Sequence, residues 1–109
     1  MTKKELMQFA ADLKKAEEYA AQYSNTEDGG TSNFDAPAVK LKATETQIEK
    51  VCKPAMKWRK RDPQDGKTWF VLFGAKRDGQ GNRNTRMAEA ISKKLAEFGY
   101  ETTVYYEMD

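Results

Sequence analysis

Four cationic side chains and three glycines share one short stretch: Gly74, Lys76, Arg77, Gly79, Gly81, Arg83 and Arg86. Glycines let backbone N–H groups approach a ligand closely, and the basic side chains add positive charge. The chemistry this pattern suits is anion binding, a phosphate above all. Two nucleotide motifs are approached and missed. Gly74 to Gly79 satisfies G-x-x-x-x-G, but Gln80-Gly81 stands where a P-loop needs Lys-Ser/Thr. Gly79-Gln80-Gly81 opens a dinucleotide fingerprint, but Asn84 stands where its last glycine belongs. The expectation is therefore a basic loop that grips an anion carried by a larger partner. The alternative is a solvated connection whose charges give solubility. Arg83 and Arg86 lie where a helix should begin, and cations are electrostatically misplaced there. Unless Asp78 or Glu89 compensates, an external anion would relieve that conflict.

A second basic stripe accompanies the loop. In Ala55 to Arg61 (AMKWRKR), Met56 and Trp58 alternate with Lys57, Arg59 and Arg61, so three cations point away from the two apolar side chains. The stripe extends the same basic surface, with Trp58 or Trp69 available for stacking, although core packing is the favoured role for both tryptophans. Charge is spread unevenly. Residues 1–50 hold seven Lys against nine acids, 51–86 ten Lys/Arg against three Asp, and 87–109 two Lys against five acids, within a net charge of +2. The basic middle third implies DNA or RNA as partner, contacted mostly through phosphates; a host protein is the alternative.

Other chemistries are set aside. With no histidine, Ser-His-Asp and Cys-His catalysis and the commonest zinc ligand are excluded. Cys52 is the single cysteine, so no internal disulfide forms, and it reads as a small buried apolar residue in a reducing, cytoplasmic setting. Glu27, Asp28 and Asp35 lack calcium-loop spacing. No cofactor and no metal site are expected, and an enzyme is the least favoured class, its only opening a carboxylate pair assembled by folding, such as Asp35 with Asp78. No apolar run approaches the roughly 20 residues of a membrane span, and the N-terminus has no uninterrupted apolar segment of a signal peptide.

The elements that must position these residues follow from periodicity. Thr2 and Glu5 form a capping-box pattern before a helix over 3–22, whose stripe is Leu6, Phe9, Leu13, Ala16 and Ala20. Residues 24–37 are a polar loop rich in turn formers, with Phe34 expected to plug it to the core. Val39 and Leu41 mark a short edge strand. Thr44 or Thr46 caps a short helix carrying Ile48, Val51 and Cys52 and ended by Pro54, a strand over 46–52 being the alternative. Ala55 to Arg61 and Thr68 to Phe73 form an antiparallel hairpin about the turn Asp62-Pro63-Gln64-Asp65-Gly66. Apolar at five consecutive positions, TWFVLF should be central and covered on both faces. Asn84 or Thr85 caps a helix with Met87, Ile91, Leu95 and Phe98 buried and Glu89 paired with Lys93 outside. Gly99 supplies its C-terminal cap, and Tyr100 folds back on its last turn. The β-branched and aromatic ETTVYYEM is a final strand, in which Tyr105 and Tyr106 take opposite faces and an exposed Tyr beside Met108 would mark a protein interface.

These elements predict one α+β domain over 1–109 with a sheet-helix core over 55–109. The N-terminal helix and a β-hairpin precede a β-α-β crossover, and a three-stranded mixed sheet is packed by helices, one on each face. At GGTSNFD (Gly29 to Asp35), GQGNRNTRMAEA (Gly79 to Ala90) and GYETTVYYEMD (Gly99 to Asp109) the chain resembles a group of small uncharacterised proteins carried on mobile elements of Gram-positive bacteria. That resemblance spans most of the chain and implies a soluble accessory protein. A Cys stands in that group at the position of Ser32 here, and no activity or catalytic residue carries over.

Overall fold

In the computed structural model, which describes residues 1–108, Thr2 caps the first helix through the expected box. Its hydroxyl accepts from the Glu5 N–H at 3.1 Å, and the Glu5 carboxylate accepts from the Thr2 N–H at 2.8 Å. Helix α1 runs Lys3–Ala20 and passes into a 3-10 turn over Ala21–Asn25. Strand β1 is Ala36–Leu41, helix α2 Glu45–Val51, strand β2 Met56–Lys57, strand β3 Thr68–Val71, helix α3 Asn82–Glu97 and strand β4 Glu101–Tyr105. Thr44 caps α2 in a second box with Gln47. The helix reading of 46–52 is therefore the correct one.

The α+β class holds, but the sheet differs from the expectation. It has four strands in the order β2-β3-β1-β4, and every pairing is antiparallel. The predicted three-stranded mixed sheet is corrected at one point: β1, expected at an edge, lies between β3 and β4. Ala38 pairs with Val71 on one side and Thr103 on the other. The β3-α3-β4 crossover exists, with both strands pointing the same way, but β1 fills the space between them. The physical reason is burial. Ala36, Ala38 and Val39 are wholly inaccessible, and a strand apolar on both sides belongs inside a sheet.

The helices are also not divided between faces. Phe9, Leu13, Ala16 and Ala20 of α1 join Ile48 of α2 and Met87, Ala90, Ile91 and Leu95 of α3 in one cluster with Val39, Leu41, Phe70 and Leu72. All three helices thus cover one face. Buried Asp12 of α1 accepts from the Tyr100 hydroxyl at 2.6 Å, and the Tyr100 ring meets Phe9 edge-on at 5.4 Å. Tyr100 reaches that position because Gly99, at φ +100°, closes α3: the Tyr100 N–H returns to the Leu95 carbonyl and the Gly99 N–H to Ala96. Phe98, expected on the buried stripe, and Phe34, expected to plug the loop, are 38% and 53% exposed.

Candidate functional site

The opposite sheet face carries no helix. Its side chains follow from the register: Met56 and Trp58, then Trp69, Val71 and Phe73, then Ala36, Ala38 and Lys40, then Glu101, Thr103 and Tyr105. Ala36, Ala38 and Val71 are buried there beneath four half-buried rings, Trp58, Trp69, Phe73 and Tyr105. The rings meet edge-to-face in a chain: Trp69 to Trp58 at 6.2 Å, Trp58 to Tyr105 at 5.4 Å and Tyr105 to Phe73 at 5.7 Å. Trp58 directly follows β2 and Tyr105 ends β4, the two outer strands, whose backbones stand roughly 14 Å apart at ordinary strand spacing. They touch because the side chains between them are small. Ala36 and Ala38 leave room for two large rings to lean inward.

Cations line the sheet edge beside this roof, with Lys57, paired with Phe70, leaning to the helical side. Lys53, Lys57, Arg59, Lys60 and Arg61 are all exposed, and none forms an ion pair among the described residues. The Arg59 guanidinium lies 4.2 Å from the centroid of a Trp58 ring, joining the strip to the roof. The hairpin tip beyond them is acidic and neutralised. Lys40 pairs with Asp65 at 2.8 Å and Asp62 at 3.2 Å, and Lys67 with Glu101 at 3.2 Å. The lysine ammonium of Lys40 is held above its usual range by Asp65 and Asp62.

The glycine-rich loop is built quite differently from what its composition suggests. Several of its backbone donors are taken by the protein itself. The Lys76 N–H donates to the Glu17 carboxylate, the Gln80 N–H to Asp28, and the Asn82 N–H to the Gly29 carbonyl at 2.8 Å. Gly81, at φ +54°, holds this contact: a Cβ there would run into the Gly29 carbonyl oxygen. Gly79 lies against Arg83 and Asp28 in the same crossing.

Arg77 is turned inward. It donates to the Ala75 carbonyl at 2.7 Å and the Asn84 side-chain oxygen at 2.8 Å, with longer contacts of 3.4 Å to the Leu72 and Phe73 carbonyls. Burial lowers its pKa from the ordinary guanidinium value. Asn84, expected as a cap, is buried inside the first turn of α3. Its amide donates to Asn33 at 2.7 Å and to the Asp35 carbonyl at 3.0 Å. Asp35 in turn accepts from the Thr85 hydroxyl at 2.6 Å and the Glu107 N–H at 2.8 Å. Asp35 is a structural clamp with both oxygens engaged. Arg83 donates to the Thr26 carbonyl at 3.0 Å and faces Asp78 at 3.7 Å, while Arg86 meets Glu89 at 3.4 Å. The acids that could compensate the misplaced cations do so. Glu89 also accepts from the Tyr106 hydroxyl at 2.9 Å, and its ion pair is Arg86 instead of Lys93.

The nine basic-site residues do not converge. The hairpin tip with Arg61 adjoins the Thr68 end of β3, and the glycine loop leaves from its Val71 end. Lys57, Arg59 and Arg61 belong to the sheet edge; Arg83 and Arg86 ride on α3 behind the helical face. The chain matches no family model, no curated protein and no solved structure.

Sequence reasoning named Trp58 and Trp69 as stacking candidates but missed Phe73 and Tyr105 as their partners. The signal was available in the strand alternation of TWFVLF and ETTVYY, which puts Trp69, Val71 and Phe73 on one side and Tyr105 with Thr103. What hid it was the assumption that a helix covers that side. Cys52 is buried, and burial pushes its thiol up to about 11, which keeps it protonated and unreactive near neutrality.

Proposed function

We propose that this protein is a non-enzymatic nucleic-acid-binding module whose phosphate contacts run along the Lys53–Arg61 edge and not through the glycine loop. One observation carries the reading. Five exposed cations crowd the nine residues 53–61 along the sheet edge without an acidic partner among the described residues, while Arg77 of the loop and Arg83 and Arg86 of α3 are all engaged. Unpaired edge cations gain counterion-release free energy on meeting phosphates, and such contacts position a strand without reading its bases. Lys57, Arg59 and Arg61 remain from the sequence expectation; Lys76 keeps its exposed side chain beside the loop but stands apart from them.

The experiment is fluorescence anisotropy with labelled DNA and RNA oligonucleotides over a salt series. With three to five phosphates contacted, log K should fall against log salt with a slope of about −2 to −4. Lys57→Glu/Arg59→Glu/Arg61→Glu should weaken binding at least tenfold, whereas Arg83→Ala/Arg86→Ala should change it little. Equal binding by the triple variant and the parent refutes the proposal.

A second reading, a protein-binding adaptor or inhibitor acting on a host protein, is favoured by one corner. Phe34, Tyr106 and Met108 are 53%, 60% and 74% exposed. The two segments are tied by the Phe34 N–H on the Glu107 carbonyl at 2.7 Å and by the Asn33–Met108 bridge. A stoichiometric protein partner lost on Phe34→Ser/Met108→Ser, with no retention on heparin or DNA, decides for this reading.

A further inference from the structure

We infer that the nucleic acid taken is single-stranded, with its bases laid on the aromatic roof of the open sheet face and its phosphates on the Lys53–Arg61 edge. This rests on the reading of the edge as a phosphate contact and adds what lies beside it. The roof and the cationic strip are adjacent, and Arg59 over Trp58 is their common border. A phosphate held at that edge places the attached base either outward into solvent or inward over Trp58, Trp69, Phe73 and Tyr105. Stacking on an aromatic ring is worth about 1–3 kcal/mol per base and accepts any base, since each has a π face.

Charge sets the direction across the face. Glu101 opens the far strand and Glu107 follows just beyond its end, whereas the β2 side carries the unpaired cations. Phosphates are thus favoured at the β2 edge and disfavoured at β4, so the backbone follows the edge and the bases reach inward. A duplex cannot use the roof. Its base faces are stacked on one another, and its two phosphate backbones would bring the second strand toward Glu101 and Glu107. Among the described residues no helix contributes a side chain to the roof cluster, and a base stacking on the covered face of Trp58 takes the place of the Arg59 side chain there.

The test uses the intact protein and its own fluorescence, because Trp58 and Trp69 are its only two tryptophans and both lie in the roof. Titration with a thymine homopolymer of DNA, its RNA counterpart, a duplex of matched length and heparin separates the claims. The expected result is quenching by the single strands, an affinity at least tenfold above that for duplex, and retention on heparin without quenching. Trp69→Phe keeps a ring over Val71, so the fold is preserved; it should weaken single-strand binding several-fold and leave heparin retention unchanged, with circular dichroism confirming the fold. Duplex bound as tightly as single strand, or single strand bound with no change in fluorescence, overturns the inference while leaving the edge reading intact. Failure of all four probes to bind overturns both.

Discussion

Replacing Arg77 with Met should strongly destabilise the fold and leave polyanion binding per folded molecule unchanged. The guanidinium makes two well-formed bonds, to the Ala75 carbonyl at 2.7 Å and to Asn84 at 2.8 Å, plus two contacts at 3.4 Å. A hydrogen bond from a charged donor contributes about 1.5–3 kcal/mol, and contacts beyond 3.2 Å add little. Met keeps the apolar stem but leaves both acceptors without their donor, so the loss from the good pair is about 3–6 kcal/mol. Removing a partly buried cation, whose lowered pKa reports its desolvation, offsets part of this. The net expectation is about 2–4 kcal/mol. For a domain near this length each kcal/mol moves Tm by roughly 4–8 °C, so the midpoint should fall by roughly 8–30 °C. Thermal unfolding followed by circular dichroism measures it, with Lys76→Met, exposed and adjacent, as the control expected within about 0.5 kcal/mol of the parent. A melting point unchanged in Arg77→Met, together with a tenfold loss of oligonucleotide affinity, would show that the residue serves a ligand and refute its role as an internal strut.

Tyr100→Phe removes the hydroxyl bonded to buried Asp12 at 2.6 Å and should lower stability by about 1.5–3 kcal/mol in urea unfolding. Gly81→Ala should be the more damaging of two glycine substitutions: it meets both a positive φ and the Gly29 carbonyl, and should exceed about 2 kcal/mol. Gly99→Ala meets only the positive φ, with nothing within 4 Å, and should cost about 1 kcal/mol. Stability should also fall in acid through the hairpin tip. Asp62 is held below the usual carboxylate range by the Gln64 N–H and then Lys40, and Asp65 by Lys40 and then the Lys67 N–H. Their contribution is complete above the unfolded carboxyl pKa near 4 and is lost as pH falls through the lowered folded values. Lys40→Met should flatten that acid limb, read as urea midpoints over a pH series; an unaltered limb would place the acid sensitivity elsewhere.

The parts of the fold legible in the sequence are those decided within a few residues. Thr2 with Glu5, Gly99 with Tyr100, and the Met56–Trp58 alternation each announce a local geometry, and each is present. Parts decided by distant partners were not legible. The central place of β1 depends on β3 and β4 meeting it from both sides, and α1 shares a face with α3 because the rings of Trp58 and Tyr105 already roof the other. Asn84 looks like a cap from its neighbours, but Asn33, Asp35 and Arg77 claim its side chain from elsewhere in the chain. The same blindness shaped the site. Composition shows that Arg77 and Arg83 are cationic, not that the Ala75 and Thr26 carbonyls already hold them. In the edge stripe the local pattern was enough, because nothing distant comes to engage it.

The place of β1 also orders the life of the chain. This strand leaves the ribosome before either neighbour: β3 follows some thirty residues later, and β4 closes the other side some sixty residues later. Until then the strand that binds the sheet together has both edges bare, and α1 lacks the helix against which it packs. The N-terminal half therefore lacks the neighbours that bury its strand and its first helix, and the pairings that complete the sheet join residues far apart in the chain, a pattern that slows folding. Cutting a sheet threaded in this way between α2 and β2 leaves β1 in one piece and both of its neighbours in the other, so the two pieces should need each other to fold.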